Sequence, residues 1–268
     1  MILPDDMILE IASYLDDTSK LAWISACRRH RSLICKIKLY AHVKYHIVAK
    51  WQHRYIFQTI KICDDEDVKN YTEDDADYKE IIFWGIFRES IDLSSKSSLS
   101  IKFRYLYVNA IILPNTIKYV EFSGGFNHPI RLPEGLISAV FGGIFDQHVT
   151  LPSTMRHVVF GGAFDHPVVL PEGLLTLEFG YAFCQLIKLP STLTSVTFGQ
   201  FFNRPVNLPE GLKSATFGYY FDQPVILPPG IERVIFLGQF GNLRPWPRRV
   251  IGGAHLRADY VSQMKSGI

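Results

Sequence analysis

A chain of 268 residues that is 47% apolar and 20% charged holds enough apolar material for a core and too much to be disordered. Its 28 Lys and Arg nearly balance 26 Asp and Glu, a formal charge of +2 that lacks the basic excess of a dedicated nucleic-acid binder. No run of about 18 apolar residues is present to span a membrane, and the opening MILPDDMILE places acids where a signal peptide needs a basic end, so an intracellular, cytoplasmic protein is expected. The four cysteines, Cys27, Cys35, Cys63 and Cys184, lack paired spacing, which fits a reducing compartment without a disulfide framework.

In the first forty residues Ile8, Ile11, Ala12 and Leu15 follow helical spacing, with Pro4 at a tolerated first-turn site. Asp5 and Asp6 suit a helix start, and Asp16-Asp17-Thr18 ends that helix and caps a second amphipathic run, SKLAWISACRRH. On periodicity alone this is a small helical cap for the rest of the chain. The residues Leu3-Pro4-Asp5-Asp6-Met7-Ile8-Leu9-Glu10-Ile11, Tyr14-Leu15-Asp16, Leu21 and Cys27-Arg28-Arg29 also resemble an F-box over residues 2–40, with His30 where that family usually has Trp. The resemblance implies a three-helix domain that docks on a Skp-type adaptor and through it on a cullin ligase. By position it makes Leu3, Pro4, Ile8, Leu15 and Leu21 the adaptor-facing set; each is otherwise an ordinary helix-core residue.

Residues 28–54 carry eight Lys or Arg, four His and no acid. Val43, Ile47, Trp51 and Tyr55 recur every fourth residue, which predicts a linker helix packed on the first coil of the next domain. Its basic face is either simply solvated or a patch that speeds encounter with an acidic partner. His42, His46 and His53 share a stripe, but no Cys-x-x-Cys or carboxylate in the segment completes a zinc site. No phosphate-cradling glycine loop or nucleophile elbow appears, so no metal, no cofactor and no enzyme acting through its own side chains is expected.

From residue 113 the chain repeats. Leu-Pro pairs recur every 19 residues from Leu113-Pro114 to Leu227-Pro228. With Leu as unit position one, position ten is always Phe (Phe122, Phe141, Phe160, Phe179, Phe198, Phe217, Phe236), and so is position fourteen (Phe126 to Phe240). Thus 14 of the 19 phenylalanines lie on two ladders. One unit is too short to enclose anything, so its apolar residues are buried only by neighbours on either side, and the array is a parallel β-solenoid. Val196-x-Phe198 reads as the longer strand of each coil and Val206-x-Leu208 as a shorter one. Gly at position eleven and Pro at position two mark corners, while positions three and four mostly alternate between Glu-Gly and Ser-Thr, the mark of growth by doubling. Upstream, Phe103 and Trp84 lie 19 and 38 residues before Phe122, so 60–112 read as degenerate coils capping the array, with the acidic stretch Cys63–Glu80 a solvated loop.

The repeat resembles the FNIP repeat: the defining stretch stands here as Phe126-Asn127-His128-Pro129 and Phe202-Asn203-Arg204-Pro205, with Asp146, Asp165 and Asp222 replacing Asn. Unit 170–188 departs from it at Cys184 and Leu186, the last unit at Gly241 and Leu243, and His148 stands where Pro is usual. The resemblance covers 113–243 and implies a leucine-rich-repeat-like arrangement with a role in protein interaction. An F-box followed by FNIP repeats is itself a family arrangement.

The expected fold is therefore α+β. A three-helix F-box (1–40) leads through a linker helix and capping coils (41–112) to a seven-unit, leucine-rich-repeat-like parallel β-solenoid (113–245) and a C-terminal cap and tail (246–268). The function these resemblances imply is substrate recognition in a cullin-type ubiquitin ligase, with a Skp-type adaptor and an unknown target protein as partners and neither nucleic acid nor membrane. The alternative is a non-ligase repeat scaffold for protein interaction. Outward residues at unit positions seven and nine are the candidate target contacts: Tyr119, Glu121, His157, Thr176, Glu178, Ser195, Thr197 and Arg233. A merely solvated sheet face is the alternative for them.

Overall fold

The computed structural model describes residues 19, 43–44, 59–63, 79–84, 87, 90–96, 98–104, 110–122, 124–237 and 250–251. The F-box-like set Leu3, Pro4, Ile8, Leu15 and Leu21 lies outside these residues, as do Ile47, Trp51, Tyr55 and Phe240.

Eleven described strands form one parallel sheet. In order across it stand β1 (Val43–Lys44), β2 (Thr59–Ile62), β3 (Glu80–Phe83), β5 (Ser100–Phe103) and β7 (Tyr119–Phe122). There follow β8 (Ser138–Val140), β9 (His157–Val159), β10 (Thr176–Glu178), β11 (Ser195–Thr197), β12 (Ser214–Phe217) and β14 (Arg233–Phe236). Each strand is one coil further along the chain, and equivalent unit positions face each other: Thr176 pairs with His157 on one side and with Ser195 on the other. Short parallel pairs on the opposite side of the coils join β4 (Ile91–Asp92) to β6 (Ile111–Ile112) and β13 (Val225–Ile226) to β15 (Val250–Ile251). In the described coils between them, the equivalent stretch, including Val206, forms no strand ladder.

Alternation drives this packing. Unit positions eight (Val120, Ala139, Val158, Leu177, Val196, Ala215) and ten (Phe122 to Phe217) point into the coil and are buried, whereas positions seven and nine point out. The two phenylalanine ladders touch within and between coils. Phe160 and Phe164 have ring centroids 4.0 Å apart, Phe160 and Phe179 5.4 Å, and Phe164 and Phe183 6.1 Å, all stacked. Burying each such ring contributes about 1.5–3 kcal/mol, most of it offset by the entropy of ordering the coil.

The position-eleven glycines have a steric cause beyond turn propensity. A Cβ built on Gly161, Gly180, Gly199 or Gly218 would overlap the carbonyl of the glycine one coil earlier. The corners stack so closely that only hydrogen fits there.

Two sequence expectations are corrected. The upstream rung of the aromatic ladder is Phe83, not Trp84: Phe83 pairs with Phe103 in register and stacks on it at 4.8 Å. Trp84 is 42% exposed, and Lys61 Nζ sits 4.6 Å from its ring centroid. The coil from Phe83 to Phe103 holds one residue more than the coils that follow it, so counting back by a fixed period lands one residue late. Val43, assigned to a linker helix by its spacing from Ile47, stands with Lys44 in a strand paired to Ile60 and Lys61. Sheet pairing along β2 satisfies the backbone there and overrides a four-residue apolar period.

Candidate interaction surface

The outward rows of the eleven-stranded sheet are set by the same register that buries the phenylalanines. Position seven runs Ser100, Tyr119, Ser138, His157, Thr176, Ser195, Ser214, Arg233. Position nine runs Lys102, Glu121, Val140, Val159, Glu178, Thr197, Thr216, Ile235 along the same strands. All eight sequence-predicted contacts, Tyr119, Glu121, His157, Thr176, Glu178, Ser195, Thr197 and Arg233, lie on this one face. They do not converge on a point. They extend over seven strands, roughly 29 Å at about 4.8 Å per step.

The face changes character along its length. Toward β3 and β7 it is charged and internally paired: Lys102 Nζ is 2.7 Å from Glu80 Oε1, and Arg104 Nη1 is 2.7 Å from Glu121 Oε1. From β8 to β12 it turns to hydroxyls and short aliphatics, with His157 Nδ1 2.8 Å from Thr176 Oγ1 and Glu178 as the exposed charge. Sequence reasoning missed Glu80, because the extra residue between Phe83 and Phe103 hid its register, and passed over Lys102, which stands 19 residues before Glu121.

It also missed an aromatic ridge beside the face. Tyr181, Phe201 and Tyr220, at unit positions twelve and thirteen of three successive coils, are 51%, 40% and 49% exposed. Tyr181 meets Phe201 edge-on at 4.7 Å, Phe201 stacks on Tyr220 at 5.2 Å, and Tyr219 meets Tyr220 edge-on at 4.8 Å. Three aromatic units in a row were visible in the sequence, but neighbouring units carry Gly, Ile or Ala there, so no period announced them.

Two hydrogen-bond ladders hold the corners that aim this surface. At position fifteen an Asn or Asp oxygen accepts the backbone N–H of the same position one coil on: Asn127 from Asp146 at 2.9 Å, Asp146 from Asp165 at 3.1 Å, Asp165 from Cys184 at 2.8 Å, Asn203 from Asp222 at 3.0 Å. Cys184 has no such oxygen, and there Arg204 Nε donates to the Cys184 carbonyl at 2.8 Å. This acceptor is the reason the repeat carries Asn or Asp after its second phenylalanine.

At positions three and four the alternation is itself a pairing. Gly135 and Gly173 take φ of +94° and +96°, which L side chains rarely adopt, in turns closed by Leu136 N–H to Pro133 O and Leu174 N–H to Pro171 O. Each glycine N–H then donates to the threonine hydroxyl one coil on, Thr154 at 3.0 Å and Thr192 at 2.8 Å. Those hydroxyls donate back to Leu136 and Leu174 carbonyls, and Glu134 and Glu172 accept from Ser153 and Ser191. A Glu-Gly coil is thus built to be followed by a Ser-Thr coil. In the other direction Lys118 Nζ and Arg156 Nη1 donate to the carbonyls of Gly135 and Gly173 at 3.0 and 3.1 Å.

An open groove of about 730 Å³ lies at these corners, lined by Glu172, Lys188, Ser191, Asn207 and Glu210 among others. On the opposite side of the coils, Ser94 donates its N–H to Asp92 Oδ1 at 2.9 Å, and its hydroxyl and N–H together hold the Asp92 carboxyl below its usual range. Among the described residues, no group of three or more His, Cys, Asp and Glu side chains is arranged to hold a metal, and no helix is long and apolar enough to cross a membrane.

No curated protein matches the chain in sequence. Among solved structures it is similar to CroV588, described as a novel circular LRR protein structure, at 29% identity and a TM-score of 0.49. That match takes in 63% of this chain and 30% of the other, so the chain spans about a third of the protein it matches. The FNIP Repeat family matches residues 164–201, two whole turns that begin on Phe164. Within that span Phe164 and Phe183 stand on the inner aromatic ladder, and Asp165 and Cys184 join in one rung of the hydrogen-bond ladder. The solenoid turns over residues 164–201 thus match the FNIP repeat.

Proposed function

We propose that the chain is a target-recognition subunit of a cullin-type ubiquitin ligase, in which the outward sheet face holds a target protein and the segment around Leu3, Pro4, Ile8, Leu15 and Leu21 docks on a Skp-type adaptor. The observation that carries the interaction half is the long face of positions seven and nine: a rigid parallel sheet presents it, and its inner side is committed wholly to the core. A long, mostly polar sheet surface on a solenoid suits a protein partner better than a small molecule, which needs an enclosing pocket. The adaptor half rests on the sequence pattern from Leu3 to Arg29. Mechanistically, the receptor acts by proximity: it raises the target's effective concentration beside a ubiquitin-charged enzyme and requires no catalytic side chain of its own.

The alternative is a repeat scaffold that uses the same face without a ligase. Binding of the purified chain to a Skp-type adaptor separates the two. The ligase reading expects a stable complex that Pro4→Ala combined with Leu15→Asp abolishes. Undiminished binding in the double variant rejects the assigned surface, and no complex with any adaptor leaves the scaffold.

A further inference from the structure

Most charged side chains on the outward sheet face are already matched within the chain. Lys102 pairs with Glu80, Arg104 pairs with Glu121, and Lys61 lies over the Trp84 ring. At the corner beside the face, Lys213 pairs with Glu232 at 3.0 Å. Glu178 on β10 and Arg233 on β14 are the exceptions: both are exposed, and neither charged group has a partner among the described residues. Between them lie Ser195, Thr197, Ser214 and Thr216, half-buried and in register across β11 and β12. Their hydroxyls make no hydrogen bond among the described residues, whereas the corner hydroxyls of Ser153, Thr154, Ser191, Thr192 and Thr194 are all bonded.

We propose that the strip from β10 to β14 binds an extended segment of the target protein that sets a Lys or Arg over Glu178 and an Asp or Glu over Arg233. This rests on the outward face being the target surface, and it narrows that surface to one half. An extended backbone fits the hydroxyl floor because its N–H and C=O groups are free to meet hydroxyls that both donate and accept, whereas a helix already uses those groups internally. The floor side chains are short, so a strand can lie across them. The spacing follows from the register. Glu178 and Arg233 stand three strand steps apart across the sheet and two residues apart along the strand direction, about 16 Å in all. An extended chain covers that distance in about five residues. One exposed ion pair contributes little. Two of opposite sign also fix the direction of the segment, because a reversed one sets like charges together.

Selection of random linear peptides displayed on phage against the purified full chain tests this, with Thr197→Arg, which obstructs the floor, marking the peptides that bind there. The expected floor-directed peptides carry opposite charges about five residues apart. Glu178→Lys combined with Arg233→Glu weakens their binding about tenfold, and the neutral pair Glu178→Gln with Arg233→Gln weakens it about threefold. The same peptides synthesised with their two charges exchanged bind the charge-swapped chain as tightly as the originals bind the wild type. All three substituted positions lie on the outward face, and an unchanged urea midpoint confirms each fold. Floor-directed peptides that lack the charge pair, or that the charge swap weakens less than about threefold, overturn the proposal and leave the face as a target surface. A chain that selects no floor-directed peptide overturns both.

Discussion

If a Glu-Gly coil is built to be followed by a Ser-Thr coil, the array should tolerate losing two turns better than its length predicts. Deleting residues 151–188 joins Thr150 to Leu189 and sets the coil of Gly135 directly under that of Thr192. The Gly135 N–H again finds a threonine hydroxyl, Glu134 again faces a serine, Phe141 stacks under Phe198 and Gly199 lies over Gly142. Deleting residues 151–169 alone sets one Glu-Gly coil on another. The Thr154 bonds to Gly135 N–H and the Leu136 carbonyl are lost, as are the Ser153 bond to Glu134 and the Arg156 bond to Gly173. In addition, Glu134 then faces Glu172. At about 1 kcal/mol for each net hydrogen bond, discounted for partial exposure, the mismatch costs about 2–4 kcal/mol. A retained coil adds about 1–3 kcal/mol at typical stability per residue. Urea unfolding of both variants reads the balance: each melts cooperatively, and the single-turn deletion is no more stable than the double one although it is a turn longer. Removing about half a turn, residues 151–160, abolishes cooperative melting because the later inward side chains no longer meet their equivalents. A single-turn deletion more stable than the double one by a full coil's worth would refute the pairing argument, and a half-turn deletion that still melts cooperatively would refute the stacking itself.

Two further outcomes concern the corners and the turn at Asp92. Gly161→Ala forces a methyl into the Gly142 carbonyl and destabilises by about 1–3 kcal/mol or more, as overpacking does, whereas Gly143→Ala meets open space and leaves the urea midpoint nearly unchanged. The Asp92 carboxyl is held below its ordinary value of 3.8, so its contribution is fully present above that value and is lost as pH falls through the lower native one. Asp92→Asn should therefore flatten the acid-side dependence of stability slightly, and leave it unchanged at pH 7 apart from the lost turn contact; the effect is small because the group faces solvent.

The solenoid was legible because burial in a stacked array repeats with the chain. Phe122 to Phe217 and Leu113 to Leu227 must return at a fixed interval to meet their equivalents. Legibility stopped where the interval changed: one added residue before Phe103 moved the inward side chain from Trp84 to Phe83 and concealed Glu80 on the outer face. At Val43 a helical spacing met a sheet edge offering hydrogen bonds that periodicity does not register. The Glu-Gly and Ser-Thr alternation could be seen in the letters, but its meaning lay in bonds between side chains a whole turn apart. The ridge at Tyr181, Phe201 and Tyr220 was hidden for the opposite reason: it is local to three turns and so carries no period. The eight outward residues were placed on one face by alternation alone, which fixes direction but does not gather them into a single spot.

The bare corner at position eleven also works as a gauge of length. From Gly142 to Gly218 each turn nests on the last with only hydrogen between them, and the next residue in that column is Leu237, whose side chain cannot nest over Gly218 as Gly218 does over Gly199. A single isobutyl group thus sets how far glycine rests on glycine, while the strand ladder itself runs on through Phe236 without needing that close fit.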